Sequence, residues 1–382
     1  MKIKDVQVFP IEYPLEYPSQ DATGIWYNWS TVIVKVIAED GTCGYGEIGP
    51  IHGGGIPIFT SIVEYRLKDI VIGKDCFDRE ILYETMLGRG TSAYALGAKG
   101  AAVSAIAGID LALWDLCGKL LDTPCYNLLG GKVYDKIPAY ASGFFGIKGR
   151  ALTAEECGEE AKRYADQGFQ GVKMKIGFGI EQDMKNLEAV RKALGPDKGI
   201  MVDANQGFDY PDMLKYIDCY KQWNLTFIEE PLKINDLHNM ANLSASAGVP
   251  IAAGENYYTR YEFRELFEKR AVNIVQPDII HAGGMTETKK IAAMSQAYNV
   301  PLCPHIHASV GKAAAIQLLA SCENTLAAEY ITSGGSYQLR TELCPGTYLA
   351  KDGFVPVSDE PGMGLHVNEE IFEKYYPKWL KK

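Results

Sequence analysis

Seven ionisable side chains recur through the second half of the chain at nearly regular intervals. They are Lys175, Asp203, Glu229, Glu255, Asp278, His305 and Glu329, separated by 28, 26, 26, 23, 27 and 24 residues. Each interval is the length of one strand–helix unit, and each side chain stands at the end of an apolar, strand-like run. A single acid in this place would usually cap the next helix. Seven ionisable residues that each end a strand at regular spacing are better explained by one shared site.

The three consecutive acids Asp203, Glu229 and Glu255 indicate a divalent cation. Converging carboxylates repel one another strongly unless a cation neutralises them. Hard oxygen ligands suit Mg²⁺, with Mn²⁺ as an alternative, whereas zinc favours the cysteine and histidine ligands that are missing from this trio. We therefore expect one Mg²⁺ per subunit.

Two candidate acid/bases, Lys175 and His305, stand on opposite sides of the acids, at the second and seventh strands. Lys175 must be neutral to accept a proton, and Lys173 and the cation would both lower its pKa. Asp278 can hold the ring of His305 through a hydrogen bond. Together with the three acids, these residues are suited to removing a proton alpha to a carboxylate. The enolate that forms must be stabilised by a cation and a hydrogen-bond donor. A protonated Glu329 would suit the donor's role.

Lys173 and Lys175 share one face of a short strand, because Val172, Met174 and Ile176 alternate with them. A solvent-facing edge strand could carry two lysines for solubility. The acids downstream favour the functional interpretation.

The elements that position these residues are eight strands alternating with seven helices. The predicted strands are 137–142, 171–177, 199–203, 226–229, 250–254, 272–276, 300–303 and 325–329. This alternation predicts a parallel sheet that closes into a barrel, whose carboxyl strand ends meet at one mouth.

Before residue 128 the pattern differs. Strands over 6–11 and 31–37, a hairpin signal at Asp40-Gly41 and a long apolar helix over 101–120 predict a separate α+β unit.

Composition excludes several classes of partner. The net charge is −10 and no basic run is present, which argues against nucleic acid and anionic membrane surfaces. No stretch has eighteen uninterrupted apolar residues, so no membrane span is expected. Nine scattered cysteines without a CxxC pair favour reduced thiols in the cytoplasm. Among them, Cys303 is better explained as a small buried residue than as a nucleophile.

Two segments of the first unit suggest lids, although ordinary surface loops would look the same. Residues 15–30 are rich in Tyr, Ser, Gly and Trp, and residues 49–56 are rich in glycine. Tyr27 in the first segment and His52 in the second are candidate substrate contacts.

Taken together, these stretches resemble the enolase superfamily, in its mandelate racemase subgroup, over nearly the whole chain. The matching motifs are Lys173-Met174-Lys175, Val202-Asp203-Ala204-Asn205, Ile228-Glu229-Glu230-Pro231, Gly254-Glu255-Asn256, Gln276-Pro277-Asp278 and Pro304-His305. Ile109–Asp115 and Leu128–Gly131 also resemble the family's linker region. The resemblance implies a (β/α)₇β barrel, a modified TIM barrel, over residues 128–330. An α+β capping domain would comprise residues 1–127 and be completed by about 331–382.

The resemblance also implies roles for individual residues. Asp203, Glu229 and Glu255 would bind Mg²⁺, and Lys175 and the His305–Asp278 pair would act on opposite faces of the substrate. Lys173, Asn205 and Glu329 would contact the substrate carboxylate or the intermediate, with His307 and His281 as secondary contacts. Residues 15–30 and 49–56 would close over the substrate. A homo-oligomer is expected.

Two bases on opposite faces allow more than one reaction. We prefer β-elimination of water from an acid sugar, an aldonate or aldarate, because residues 15–30 offer many polar side chains to a polyhydroxy acid. Racemisation or epimerisation of a 2-hydroxy acid is the next alternative, and cycloisomerisation of a sugar lactone the third. A barrel retained only for binding would predict gaps in the set of seven, and none is seen.

Overall fold

The computed structural model describes residues 1–51, 55–91, 95–332 and 335–380. The chain begins with three antiparallel strands, β1 (Ile3–Gln20), β2 (Ile25–Ala38) and β3 (Cys43–Ile51). Five helices follow: α1 (Ile56–Ile62), α2 (Lys68–Val71), α3 (Arg79–Met86), α4 (Ala101–Leu120) and α5 (Cys125–Leu128). A π-helical turn, Val63–Leu67, joins α1 to α2.

The second part alternates strands and helices. Its strands are β4 (Lys136–Ser142), β5 (Gly146–Ile147), β6 (Gly171–Lys175), β7 (Gly199–Asp203), β8 (Phe227–Glu229), β9 (Ile251–Ala253), β10 (Ile274–Val275) and β11 (Ala328–Ile331). Its helices are α6 (Ala154–Asp166), α7 (Ile180–Leu194), α8 (Tyr210–Lys221), α9 (Leu237–Ser246), α10 (Thr259–Glu268), α11 (Ile279–Ala282), α12 (Gly284–Ala297) and α13 (Val310–Ala320). The strands other than β5 pair in parallel, in the order β10-β9-β8-β7-β6-β4-β11. The expected capping sheet and modified barrel are both confirmed.

Two of the predicted barrel strands differ from the observed ones. Instead of a strand over 300–303, the described chain has isolated bridges at Leu302, one to Val275 and one to Thr325, and these join the two ends of the sheet. The last barrel strand is β11, which begins three residues and ends two residues later than predicted. Segment 300–303 has only single bridges, since Pro301 and the following Pro304 lack the N–H groups that a longer ladder would need.

The final stretch returns to the first sheet. It contains α14 (Gly335–Leu343), β12 (Phe354–Pro356), α15 (Glu370–Lys374) and a 3₁₀ turn, Lys378–Leu380. β12 pairs antiparallel with β4, and α15 stacks the ring of Phe372 on that of Phe9, 4.3 Å between centroids. This segment therefore ties the barrel to the capping sheet.

Helix α4 is the hydrophobic centre of the capping part. By length and composition alone it could cross a membrane, but 94% of its most apolar window is buried within the protein. It packs under β3, where a Cβ added at Gly46 would lie 1.8 Å from the carbonyl oxygen of Gly108. Only glycine at position 46 allows this approach. Asp110 of α4 reaches the barrel, where its Oδ2 accepts a hydrogen bond from the N–H of Thr286, at 2.9 Å.

Segment 15–30 is not a loop. β1 and β2 form a long hairpin that pairs from Ile3↔Ala38 to Gln20↔Ile25, leaving only residues 21–24 as its turn. β1 also pairs with β5, Ser19 with Ile147 and Gln20 with Gly146. This pairing carries the hairpin turn across to the barrel. The composition of segment 15–30 is typical of a loop, so the prediction missed its strands. Strand formation here depends on pairing with residues elsewhere in the chain, which the composition does not show.

Candidate active site

The register of the parallel strands brings the first three ionisable residues side by side. Lys175 pairs with Asp203 between β6 and β7, and Asp203 pairs with Glu229 between β7 and β8. All three are the last residues of their strands, so their side chains meet at the carboxyl end of the barrel. Residues that recur at regular intervals in the sequence are therefore clustered in the structure.

The three acids could hold one cation. Asp203, Glu229 and Glu255 each offer an oxygen, and these oxygens all lie within 4.8 Å of one another. Glu255 Oε2 is buried and has no hydrogen-bond partner among the described residues. Burial raises the pKa of Glu229 to about 8 and that of Glu255 to about 7, so negative charge on these two glutamates is costly without a further counterion. An all-oxygen donor set of this kind fits Mg²⁺ or Mn²⁺.

Lys173 is enclosed by carboxylates. Its side chain is 1% exposed, and its Nζ lies 2.7 Å from Glu229 Oε1 and 2.8 Å from Glu329 Oε1. Burial opposes the charge, yet Glu229, Glu329 and Asp203 hold the pKa of Lys173 well above its usual value. Lys173 is therefore a fixed cation at the base of the site.

The surroundings of Glu329 favour its ionised form. Burial favours its neutral form, but Lys173 and His305 hold its pKa well below the usual range. Its Oε2 accepts a hydrogen bond from the N–H of Ile306 at 3.1 Å. The structure therefore differs from our expectation of a protonated donor, because Lys173 is close enough to stabilise the anion.

The protein charges around Lys175 by themselves favour its protonated form, whereas the neutral amine expected from the sequence depends on a bound cation. Lys175 Nζ lies 2.6 Å from Asp203 Oδ2. Burial and Lys173 lower its pKa, but Asp203 outweighs them, and the protein charges alone hold the pKa of Lys175 above its usual value. The sequence indicated the lysine neighbour and the cation but not the direct contact with Asp203. A cation shared with Asp203 would weaken that contact and favour the neutral amine.

His305 occupies the other end of the acids, where its Nε2 lies 3.5 Å from Glu255 Oε2. Its Nδ1 lies 2.7 Å from Asp278 Oδ2, as expected for a His–Asp pair. Burial opposes protonation of His305, but Glu255, Glu329 and Asp278 raise its pKa to about 10. His307 shares the same Asp278 oxygen, at 2.9 Å, while burial lowers its own pKa to about 4. His307 is therefore a neutral neighbour of the pair.

Two supporting contacts were not anticipated from the sequence. Gln276 Nε2 donates to Glu229 Oε2 at 2.6 Å. Asn256 Nδ2 lies 2.9 Å from both oxygens of Glu230, which is fully buried beside the acids. A signal for Gln276 was present, since it directly follows β10 (Ile274–Val275) and stands two residues before Asp278. Nothing in the sequence pattern indicated the partner of Glu230.

A cavity of about 450 Å³ opens between the hairpin turn and the barrel mouth. Asn205, His281, His305 and His307 line it, and Asn205 Oδ1 is buried without a hydrogen-bond partner among the described residues. His281 Nδ1 lies 3.3 Å from Ser104 Oγ of α4. These positions agree with contact to a substrate.

Tyr27 and His52 were the two substrate contacts predicted in the capping part. Tyr27 is 69% exposed and is absent from the described lining of this cavity, whereas its neighbour Trp26 lines it. Successive side chains of a strand point to opposite faces, so only one of the two can face the barrel. His52 lies outside the described residues. Cys303 is fully buried, and burial raises its pKa to about 12, as expected for an inert thiol.

A capping sheet over a barrel, with clustered acids between a lysine and a histidine at the barrel mouth, defines a class of metal-dependent enzymes that move protons. Two family descriptions match the chain: "Mandelate racemase / muconate lactonizing enzyme, N-terminal domain" over residues 3–130 and "Enolase C-terminal domain-like" over residues 156–371. The chain belongs to the enolase superfamily, in the mandelate racemase / muconate lactonizing enzyme family, and it is an enzyme.

Individual relatives span the same length. A D-galactarolactone cycloisomerase of Agrobacterium fabrum is 30% identical, over 98% of this chain and 99% of its own. An arabinonate dehydratase of Saccharolobus solfataricus is 31% identical, with the same coverage. The crystal structure of a racemase from Streptomyces coelicolor with bound magnesium superposes with a TM-score of 0.89 at 28% identity, covering 98% of this chain and 100% of that chain.

Proposed function

We propose that this enzyme removes the proton alpha to the carboxylate of an acid sugar and then eliminates water to give a keto acid. The observation that carries the proposal is the placement of two acid/bases at opposite ends of three clustered acids. Lys175 contacts Asp203 at one end, and His305 contacts Glu255 at the other. Mg²⁺ bound by the three acids would supply a Lewis acid for the substrate carboxylate.

The protein residues account for the movement of protons. Lys175 or His305 removes the α-proton, and the electron pair of that C–H bond forms the new C=C bond. The other residue gives a proton to the β-hydroxyl, which leaves as water when its C–O bond breaks. The resulting enol tautomerises to the keto acid. Lys173 offers a fixed positive charge to the developing enolate, and the configuration at the α-carbon decides which base acts first.

The named relatives support two outcomes of the same first step. The arabinonate dehydratase supports elimination of water. The D-galactarolactone cycloisomerase supports a second candidate, isomerisation of a sugar lactone, because the same α-proton abstraction can expel a ring oxygen in place of hydroxide. Racemisation, in which the second base returns a proton to the opposite face, needs no further residue.

The test is a screen of acid sugars and their lactones in D₂O with Mg²⁺, following keto-acid formation and deuterium at the α-carbon. We expect keto acid from at least one acid, and its loss in Lys175→Ala and His305→Asn. Deuterium without keto acid would favour racemisation, and a ring-opened unsaturated product would favour cycloisomerisation. No product and no exchange with any acid would refute the proposal.

A further inference from the structure

A small cavity lies between the last barrel helix, α13, and the segment that returns to the capping sheet. Its volume is about 20 Å³, and residues of α13, β11, α14 and the stretch after α14 line it. Two of these residues are cations, Lys312 of α13 and Arg340 of α14. A space of this size holds one water-sized group and is too small for a carboxylate or a phosphate. Any occupant of this α13–α14 cavity is therefore a single small particle.

The two cations of the cavity are costly to keep charged. Lys312 is in the first turn of α13 and is partly buried, and Arg340 is only 6% exposed. Burial and Arg340 lower the pKa of Lys312 to about 8, and burial lowers the pKa of Arg340 to about 10. Both groups keep their protons at neutral pH. A negative charge between them would relieve the cost of burial and of their mutual repulsion.

The nearby carboxylates have other partners. Glu329 is the only acid among the described residues that line the cavity. Its Oε1 lies 2.8 Å from Lys173 Nζ, and its Oε2 accepts from the N–H of Ile306 at 3.1 Å. The charge of Glu47 also reaches Arg340, but Glu47 Oε2 accepts from N–H groups at the start of α13. The cavity wall is therefore left with an excess of positive charge.

Two donors of the wall are available to a ligand. Lys312 forms no ion pair within the described ranges of the chain, and its Nζ lies 5.5 Å from the ring centroid of Tyr330. Thr347 is 5% exposed, and its Oγ1 is buried without a hydrogen-bond partner among the described residues. An ammonium group and a hydroxyl can both donate to an anion, and the ammonium bond would be charge-assisted.

We propose that the α13–α14 cavity binds one chloride ion, held by the ammonium of Lys312, the guanidinium of Arg340 and the hydroxyl of Thr347. A water molecule would fill the same volume but would leave the two positive charges without a counterion. The ion would join a barrel helix to the segment that returns to the capping sheet. Chloride should therefore stabilise the folded protein, whatever acid the enzyme acts on.

The experiment measures the NMR line width of chloride in the presence of the full-length enzyme. Ionic strength is kept constant with methanesulfonate, an anion too large for the cavity. We expect saturable broadening that bromide, a single atom, removes and that sulfate does not. Lys312→Met keeps most of the side-chain volume and should weaken chloride binding at least about tenfold, because a charged donor is lost. Thr347→Val removes a neutral donor and should weaken it about fivefold.

Lys290→Met is the matched control. Lys290 Nζ also faces a tyrosine ring, that of Tyr83 at 5.6 Å, but it already has a counterion in Glu80 at 2.6 Å. Chloride binding and the rise in melting temperature with chloride should be unchanged in this variant.

Three outcomes would overturn the inference. The first is wild-type enzyme that gives no saturable broadening, as expected if water fills the cavity. The second is broadening that persists undiminished in Lys312→Met with its fold intact by circular dichroism, which would place the ion elsewhere. The third is displacement by sulfate as effective as that by bromide, which would exclude so small a cavity. If Lys312→Met does not fold, Thr347→Val decides, and unchanged chloride affinity in that variant would refute the site.

Discussion

Gln276 provides a sharp test of how the acids are organised. Its Nε2 donates to Glu229 Oε2 at 2.6 Å, and Lys173 Nζ lies 2.7 Å from the other oxygen of Glu229. Both Gln276 and Glu229 are 1% exposed, so water cannot replace the lost contact. Gln276→Met keeps nearly the same volume and removes the donor. Glu229 would then be free to rotate about the contact with Lys173 alone.

The expected magnitude follows from these contacts. A hydrogen bond to a buried carboxylate contributes about 1.5–3 kcal/mol, and loss of a residue that orients a metal ligand typically weakens metal affinity about 10- to 100-fold. A change of that size corresponds to about 1.4–2.7 kcal/mol, so the two estimates agree. We therefore expect the dissociation constant for Mg²⁺ to rise about 10- to 100-fold in Gln276→Met.

The assay is isothermal titration calorimetry of substrate-free protein with Mg²⁺, which does not depend on turnover. Gln317→Met is the matched control, because Gln317 is also fully buried and bonds the N–H of Tyr126 and the hydroxyl of Tyr348, both at 2.8 Å. The control should lower the free energy of unfolding by about 2–4 kcal/mol and leave Mg²⁺ affinity unchanged. Unchanged or tighter Mg²⁺ binding in Gln276→Met would refute the positioning of Glu229 by Gln276.

Three further predictions concern the cation, pH and the attachment of the capping part. EDTA should abolish exchange of the α-proton and added Mg²⁺ should restore it; exchange that survives EDTA would exclude a catalytic role for a cation on the three acids. Burial raises the pKa of Asp110 to about 7, so the folded state binds its proton more tightly than the unfolded state does, and this residue should lower the free energy of unfolding as pH rises from about 4 to about 7. Asp110→Asn should flatten that dependence in urea unfolding, and an unaltered slope would contradict the assignment. Glu47 Oε2 accepts from the N–H groups of Ser309 and Val310 at the start of α13, at 2.8 and 2.7 Å. Glu47→Ala leaves those buried donors unpaired and should lower the free energy of unfolding by about 1–3 kcal/mol; wild-type stability would show that the contact contributes little.

The barrel was accessible to sequence reasoning because its signal is local and repeated. Apolar runs of strand length, each ending in an ionisable residue, place Asp203, Glu229 and Glu255 at one edge of any parallel sheet. The errors fell where local patterns are weak. The segment 300–303 is too short for its sequence pattern to indicate whether it forms a strand. In the structure Leu302 forms only two isolated bridges, one to Val275 and one to Thr325.

The sequence by itself determined the family, the barrel and the positions that carry the acids and the two candidate bases. These follow from periodicity, which a strand or helix imposes on nearby residues. Only the tertiary structure decided the hairpin whose turn lines the cavity at the barrel mouth, the hydrogen bond of Gln276 to Glu229, and the contact of Lys175 with Asp203. Each of these depends on a contact between groups far apart along the chain. Electrostatic energy varies with distance and burial, and neither quantity is written in the local order of residues.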